Sequence, residues 1–400
     1  MFTEIDRHAL AAPLSAAGSI KNLAQYLKTG AVDERHTARA LFRWIAHNIT
    51  YNTSALGQIW DRNRSAQETA EAVLQRRTAV CAGYSELFLS LAQSAGLTAE
   101  KISGNVKGPG YKAGSLASGD DTHAWNAVLL EGKWQLIDCT WGAGHMISTA
   151  GGPRYARGFN DYYFLPSPGE MIYSHFPEIR RWQMLTPPQT QTHWEQLPLA
   201  HSAFFRCGLR FHSHHTAVVT SEGPFSVSLS GPDKTRVFAQ LNSDREMLDD
   251  QWTLTQHLNG RIVVHCFFPK PGDYDLSIFA APDHHSSGFE KAAEYSVHCT
   301  FSGMGERFPE VFGAFYTHRC VVNSPLTGTL RRERPVIFDV CAPNAVAVAV
   351  VSGKAWTHLS PLGDSFQGRV SLGSGVTEVC ARWQGGENSS FDVLLRYQVI

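Results

Sequence analysis

The stretch Thr78-Ala79-Val80-Cys81-Ala82-Gly83-Tyr84-Ser85-Glu86-Leu87-Phe88 decides the reading of this chain. It sets a cysteine at the mouth of a helix. Tyr84, Phe88, Leu91 and Ala95 recur at spacings of three and four on one face, and Gly96 stands at the stop position. Unpaired amides and the macrodipole at a helix N-terminus favour a thiolate, so a cysteine there titrates below its free value of about 8.5.

A cysteine alone is an ordinary small core residue; its partners give it meaning. His123 opens a strand reading His123-Ala124-Trp125-Asn126, and Asp138 closes the strand that begins at Lys133. Glu131-Gly132 between them is a two-residue hairpin turn. Such a turn sets Leu130 opposite Lys133, which carries Asp138 opposite Trp125 and onto the sheet face of His123. Diagonal neighbours of this kind have backbones roughly 7–8 Å apart, a gap their side chains close. A three-residue turn would put the two on opposite faces.

In this order of helix and hairpin, Cys81, His123 and Asp138 resemble the transglutaminase-like core, a relative of papain-type cysteine peptidases, and most specifically its kyphoscoliosis-peptidase/hillarin branch. The matching features cover about the first half of the chain. They are the helix ending in Ile49-Thr50-Tyr51, the cysteine helix at residues 80–88, Gly104, His123-Ala124-Trp125-Asn126, Gly132-Lys133-Trp134 and Asp138-Cys139-Thr140-Trp141. Asn160-Asp161-Tyr162-Tyr163-Phe164, Pro166 and His175-Phe176-Pro177 continue the series. Cys139 departs from the proline that many relatives carry there, yet the Asp138 carboxylate is kept. The resemblance and the chemistry together imply Cys81 as nucleophile, His123 as the base that takes its proton and Asp138 as the group that orients the imidazole. They imply attack on a peptide bond or a glutamine side-chain amide of a protein, through a thioester that water hydrolyses or an amine aminolyses. The Cys81 N–H is a candidate oxyanion donor, with Tyr51 or Trp60 as a candidate side-chain donor, though each also reads, and more readily, as buried aromatic packing. Trp125 and Trp141 read as pocket walls or core, and Asp120 and Asp121 as a solvated loop. The branch also implies a second reading, a non-enzymatic cytoskeletal scaffold. A third, an amidase on glycosylated asparagine, lacks the zinc-binding cysteine quartet expected ahead of Cys81.

Organisation along the chain supports an α+β core. Ala38, Leu41, Phe42, Ile45 and Ile49 form one helical stripe. Ser65-Ala66-Gln67-Glu68 has the form of a capping box ahead of Ala70, Val73 and Leu74. A further strand is read at residues 102–106. Beyond residue 195 only short alternating runs remain, at 225–229, 261–268, 274–279, 336–340, 345–351, 369–372 and 393–399. Residues 225–229 ahead of Pro232 parallel residues 336–340 ahead of Pro343, and residues 260–263 parallel 368–371 at nearly the same spacing. The expected architecture is a papain/transglutaminase-like core at 1–195 followed by two immunoglobulin-like β-sandwich modules at 196–302 and 303–400.

Composition narrows the function classes. The 400 residues hold 35 basic and 36 acidic side chains, a net charge of −1, with 18% charged and 43% hydrophobic residues. This excludes disorder as the chain's general state and offers no broad cationic face for nucleic acid or anionic lipid. Arg331, Arg332 and Arg334 read as a solvated turn. No apolar run reaches the ~18 residues of a membrane helix, and Glu4 and Asp6 sit where a secretory signal wants basic residues. A cytoplasmic protein is expected, with Asn48, Asn52 and Asn388 as chance glycosylation triplets. Its partners are expected to be a protein substrate or a cytoskeletal protein. The eight cysteines include no CxxC pair, and His212, His214, His215, His284 and His285 match no zinc spacing. Gly104, Gly108 and Gly110 surround Lys107 without a phosphate-loop ending. Neither metal nor cofactor is expected.

Overall fold

A computed structural model describes residues 2–55, 68–108, 110–116, 122–149, 152–243, 246–283, 288–300, 306–384 and 390–400. Ser65, Ala66, Gln67, Trp60, Asp120, Asp121, His284, His285 and Asn388, named above, lie outside them. Contacts divide the chain into two units, Met1–Leu197 and Pro198–Ile400.

In the first unit, helices α1 (Thr3–Leu10), α2 (Ile20–Thr29) and α3 (Glu34–Asn48) pool their apolar faces. Helix α3 begins where the Asp33 carboxylate accepts the His36 N–H at 2.7 Å, and buries Ala38, Leu41, Phe42 and Ile45. Arg39 on the same helix is buried too. Two of its nitrogens reach the Asp6 carboxylate at 2.7 Å and a third reaches Asp161, while the guanidinium lies over the rings of Phe2 and Phe164. A buried charge persists only when paired in this way, and the pairing ties α1 and the 160s segment to α3.

The helix expected after Ser65–Glu68 begins later. It spans Ala70–Arg76 and is capped by Thr69, whose hydroxyl accepts the Ala72 N–H. Glu68 serves instead as the ion-pair partner of Arg76 at 2.5 Å. Strands β1 (Thr50–Tyr51) and β2 (Thr78–Ala79) then pair in parallel, and the helix Cys81–Ser94 starts two residues after Ala79. Its end follows the expected signal. Gly96 takes φ +87°, and the N–H of Leu97 returns to the Ala92 carbonyl at 2.8 Å.

Strands β3 (Ala99–Val106), β4 (Thr122–Leu130) and β5 (Lys133–Ile137) follow as antiparallel neighbours. Glu131 and Gly132 both adopt left-handed backbone, at φ 51° and 76°, the conformation of a tight two-residue hairpin. The register is the one such a turn predicts, from Leu130 opposite Lys133 to Asn126 opposite Ile137. Asp138 does not close β5. It is the N-cap of a short helix, Cys139–Ala143, because its carboxylate captures the next free amides. A hairpin of β6 (Gly144–Thr149) and β7 (Gly152–Arg157) comes next. Strand β8 (His175–Pro177) then completes the sheet order β5-β4-β3-β8, with Val106 opposite His175 and Gly104 opposite Pro177.

The second unit holds two β-sandwiches of matching topology. In the first, Phe225–Ser230 pairs with Arg261–Cys266 within a four-stranded sheet; in the second, Val336–Cys341 pairs with Ser365–Val370 within another. These are the segments whose sequences parallel one another. The facing sheets repeat as well. Val218–Ser221 lies parallel to Glu290–Cys299, as Thr329–Leu330 lies parallel to Asp392–Val399. Each module also opens with a single helical turn, Ser202–Arg206 or Gly313–Thr317, too short to leave a periodic stripe in sequence. Gln256 of the first module exchanges two hydrogen bonds with the backbone of Val322, at 3.1 and 3.4 Å, and Leu254 joins the second module's core.

At Gly104 the backbone of β8 packs tightly against β3. A Cβ built there would lie 2.2 Å from the Phe176 carbonyl oxygen and 2.7 Å from both the Pro177 Cα and the Trp125 ring. Gly104→Ala should therefore destabilise the first unit by about 1–3 kcal/mol, read from the urea midpoint of tryptophan fluorescence. Gly169→Ala, where nothing lies within 4 Å, should move that midpoint by less than the equivalent of about 0.5 kcal/mol.

Candidate active site

The nucleophile position is built locally. Pairing of β1 with β2 holds Tyr51 opposite Ala79, and Val80 leads into the helix without a side-chain cap. The first-turn amides are thus left without a side-chain acceptor, beside Cys81. Cys81 is only partly covered, in contrast to the buried Cys139, Cys207, Cys266, Cys299, Cys320 and Cys380. Asn126 on β4 donates to the carbonyls of Ser85 and Glu100, at 3.0 and 3.3 Å, and so fastens the cysteine helix onto the sheet.

The hairpin supplies the other two groups. His123 Nε2 lies 2.9 Å from Asp138 Oδ2, and the imidazole is close enough to Cys81 to act on its thiol. With Nε2 committed to Asp138, Nδ1 is the nitrogen left for the sulfur. The structure therefore brings the three sequence-predicted residues together, with Asp138 hydrogen-bonded to His123 and His123 electrostatically coupled to Cys81. Asp138 is wholly buried. Its Oδ1 accepts the backbone N–H groups of Thr140 and Trp141 at 2.8 and 3.0 Å, and its own N–H donates to the Tyr163 carbonyl.

A fourth group arrives from β8. His175 Nε2 lies 3.1 Å from the same Asp138 Oδ2, and its Nδ1 lies 2.8 Å from Ser174 Oγ. Sequence reading places His175 in the matching series but assigns it no role; nothing in its local pattern points across 37 residues to Asp138. Trp125 and Trp141 close around both imidazoles, with ring centroids 4.5–6.1 Å apart. Trp125 is core and Trp141 is half-buried.

Electrostatics follow from this packing. Burial pushes the Cys81 thiol up, but the His123 charge and hydrogen bond, helped by the Ala124 N–H, bring it below its ordinary value. Burial pulls His123 down, yet Asp138 and Cys81 outweigh it and hold the imidazole at about 10. Asp138 sits far below the usual carboxylate range: burial opposes ionisation, and the two histidines overcome it. Both shifts favour the thiolate–imidazolium form of the pair Cys81–His123. Cys139, sealed beside Asp138, is pushed well above its ordinary value and is inert. The Tyr51 phenol is raised by burial and by the charges of Cys81, Glu68 and Asp138, so it stays protonated beside the sulfur as an O–H donor.

His123, Asp138 and His175 bring three ligating atoms within 4.8 Å of one another. Direct hydrogen bonds fill the space between them, and the group reads as a relay. Among the described residues His212, His214 and His215 form no such cluster. Lys107 is buried and donates to the Leu197 carbonyl at 2.7 Å. No helix among the described residues is long and apolar enough to cross a membrane.

Comparison with known proteins matches residues 21–139 to the transglutaminase-like superfamily and residues 191–310 to the KY-like, immunoglobulin-like domain. The chain is similar to transglutaminase-like proteins of the kyphoscoliosis-peptidase/hillarin kind. Human kyphoscoliosis peptidase is 30% identical over 309 residues, 77% of this chain and 44% of its own length. Drosophila melanogaster hillarin is 29% identical over 74% of this chain and 40% of its own. Cytokinesis protein 3 of Saccharomyces cerevisiae is 29% identical over 44% of this chain and 20% of its own. The transglutaminase-like chain thus spans less than half the length of these relatives.

The ion pair leaves a mark on stability. A raised His123 adds stability that is complete below 6.5 and is lost as pH climbs to about 10. A lowered Cys81 adds stability that is complete above 9.0 and is lost as pH falls through its depressed value. The two trends oppose each other between the depressed value of Cys81 and 9.0, so the wild type should lose less stability than Cys81→Ala up to 9.0 and fall most steeply between 9.0 and about 10. In Cys81→Ala the His123 trend stands alone, and the loss should begin at 6.5. Urea unfolding of both proteins across this range checks the difference in onset.

Proposed function

We propose that this protein is a cysteine-dependent hydrolase or transamidase acting on peptide or glutamine amide carbonyls of a protein substrate. The observation that carries the reading is the convergence of Cys81, His123 and Asp138, with a partly covered cysteine residue at one end and a buried carboxylate, hydrogen-bonded to the imidazole, at the other. The Cys81 thiolate attacks the carbonyl carbon, and the oxyanion that forms is met by the Cys81 N–H and the Tyr51 hydroxyl. His123 passes its proton to the departing nitrogen as the C–N bond breaks, leaving a thioester. Water or an amine then adds to the thioester carbonyl and gives up a proton to His123. Collapse expels the Cys81 thiolate and yields an acid or a new amide. Asp138 holds the imidazole in one tautomer throughout.

The β-sandwich modules, taken at 196–302 and 303–400, are proposed to bind the protein substrate or a cytoskeletal partner in the cytoplasm. The name of the yeast relative, cytokinesis protein 3, supports this assignment. A scaffold without catalysis would keep the same fold and modules but would have no need of a thiolate.

Iodoacetamide separates the two readings, because alkylation needs no substrate. Cys81 should be modified selectively at pH 7, with Cys341 the main competitor since the other six cysteines are buried. Its rate should fall by about 10–100-fold in His123→Ala and by about tenfold in Asp138→Asn, followed by peptide mass mapping. Equal labelling of Cys81 and Cys341, with the same rise toward their ordinary pKa, would leave the scaffold.

A further inference from the structure

The Asp138 carboxylate carries more donors than a nucleophile–base–acid relay requires, and the surplus donor is a second imidazole. His175 is buried, as are His123 and Asp138. Its Nε2 is 3.1 Å from Oδ2, the oxygen that also meets His123 Nε2 at 2.9 Å. A bare ring nitrogen facing a carboxylate oxygen at that distance would be repulsive, so Nε2 carries the proton. Nδ1 is then an acceptor, and the one hydroxyl proton of Ser174 goes to it at 2.8 Å in preference to the Met171 carbonyl at 3.3 Å. The tautomer follows from partners at both ends of the ring.

We propose that His175 is a positioning residue of this site: a neutral imidazole, locked in one tautomer by Ser174, that shares the Asp138 carboxylate with His123 and so sets the charge under which the Cys81–His123 pair ionises. The proposal rests on the reading of Cys81, His123 and Asp138 as the reacting set. Neutrality is consistent with the surroundings. The ring is enclosed by Trp125, Trp141 and Tyr163, and burial together with the neighbouring His123 charge keeps it from taking a second proton despite Asp138. The titratable groups facing it are Asp138, His123 and Tyr163. Those facing the Cys81–His123 pair are Asp138, His175 and Tyr51. A neutral N–H directed at Oδ2 withdraws part of the carboxylate's field from His123. Without it that field acts on the pair undiminished, which favours the protonated form of both imidazole and thiol.

The test is the pH dependence of iodoacetamide alkylation at Cys81 in the full chain, from about pH 4 to about pH 10. In His175→Phe both limbs of the profile should move to higher pH by about 0.5–1 unit. His175→Gln, whose amide N–H replaces the Nε2 donor, should keep both limbs within about 0.3 unit of wild type. A merely structural role would lower the rate or the melting temperature and leave the limbs in place. Limbs unmoved in folded His175→Phe, or a His175→Gln profile displaced as far as that of His175→Phe, would overturn the proposal. Nitrogen-15 NMR of the wild-type histidines is independent of any folding defect. It should show His175 as the neutral Nε2–H tautomer at pH 7, and an imidazolium or an Nδ1–H form there would also overturn it. If wild-type Cys81 titrates like an ordinary thiol, or His123→Ala leaves its profile unchanged, the underlying reading of the reacting set fails and takes this one with it.

Discussion

One carboxylate organises this molecule. Asp138 has no exposed surface, yet it remains ionised because four N–H groups converge on it, two from the backbone at Thr140 and Trp141 and two from the imidazoles of His123 and His175. Burying a charge is costly unless its lone pairs are satisfied, and here each oxygen receives two donors. The same contacts start the helix Cys139–Ala143, end β5 and fix the ring that addresses Cys81. Fold and site therefore share a single electrostatic centre.

Around that centre the core applies two kinds of constraint. Helix–sheet packing sets distances: Asn126 fastens the cysteine helix to β3 and β4, and the β1–β2 pairing sets Tyr51 opposite Ala79, two residues ahead of Cys81. Ion pairing sets enclosure. Arg39 reaches Asp161, and the neighbouring Tyr163 carbonyl accepts the backbone N–H of Asp138, so the same segment is held by a buried cation and by the backbone of the buried acid. The competition at Cys81 is decided by proximity, since burial alone would raise the thiol and only a charge within hydrogen-bond reach reverses it.

Much of this was legible in the chain. Glu131-Gly132 implies a two-residue turn, and the strand period of two then puts His123 and Asp138 on one face; the structure has that register. The stop at Gly96 and the paired repeats of the β-sandwiches were legible for the same reason, since each rests on short-range periodicity. Three features escaped. The cap of the helix Ala70–Arg76 is Thr69, because Glu68 turns to Arg76. Asp138 caps a helix where a strand end was expected, and β8 leaves no signal in a three-residue segment.

What the sequence by itself determined is the set of local geometries: a cysteine at a helix mouth, a hairpin of known register and a duplicated strand pattern, all governed by backbone periodicity over a few residues. Only the tertiary structure decided that β8 lies beside β3 and delivers His175 to Asp138, that Arg39 is sheltered by Asp6 and Asp161, and that Cys81 is lowered while Cys139 is raised. Those outcomes depend on which groups meet across long stretches of chain. That is settled by the packing of whole elements and the need to satisfy every buried charge, neither of which any local pattern encodes.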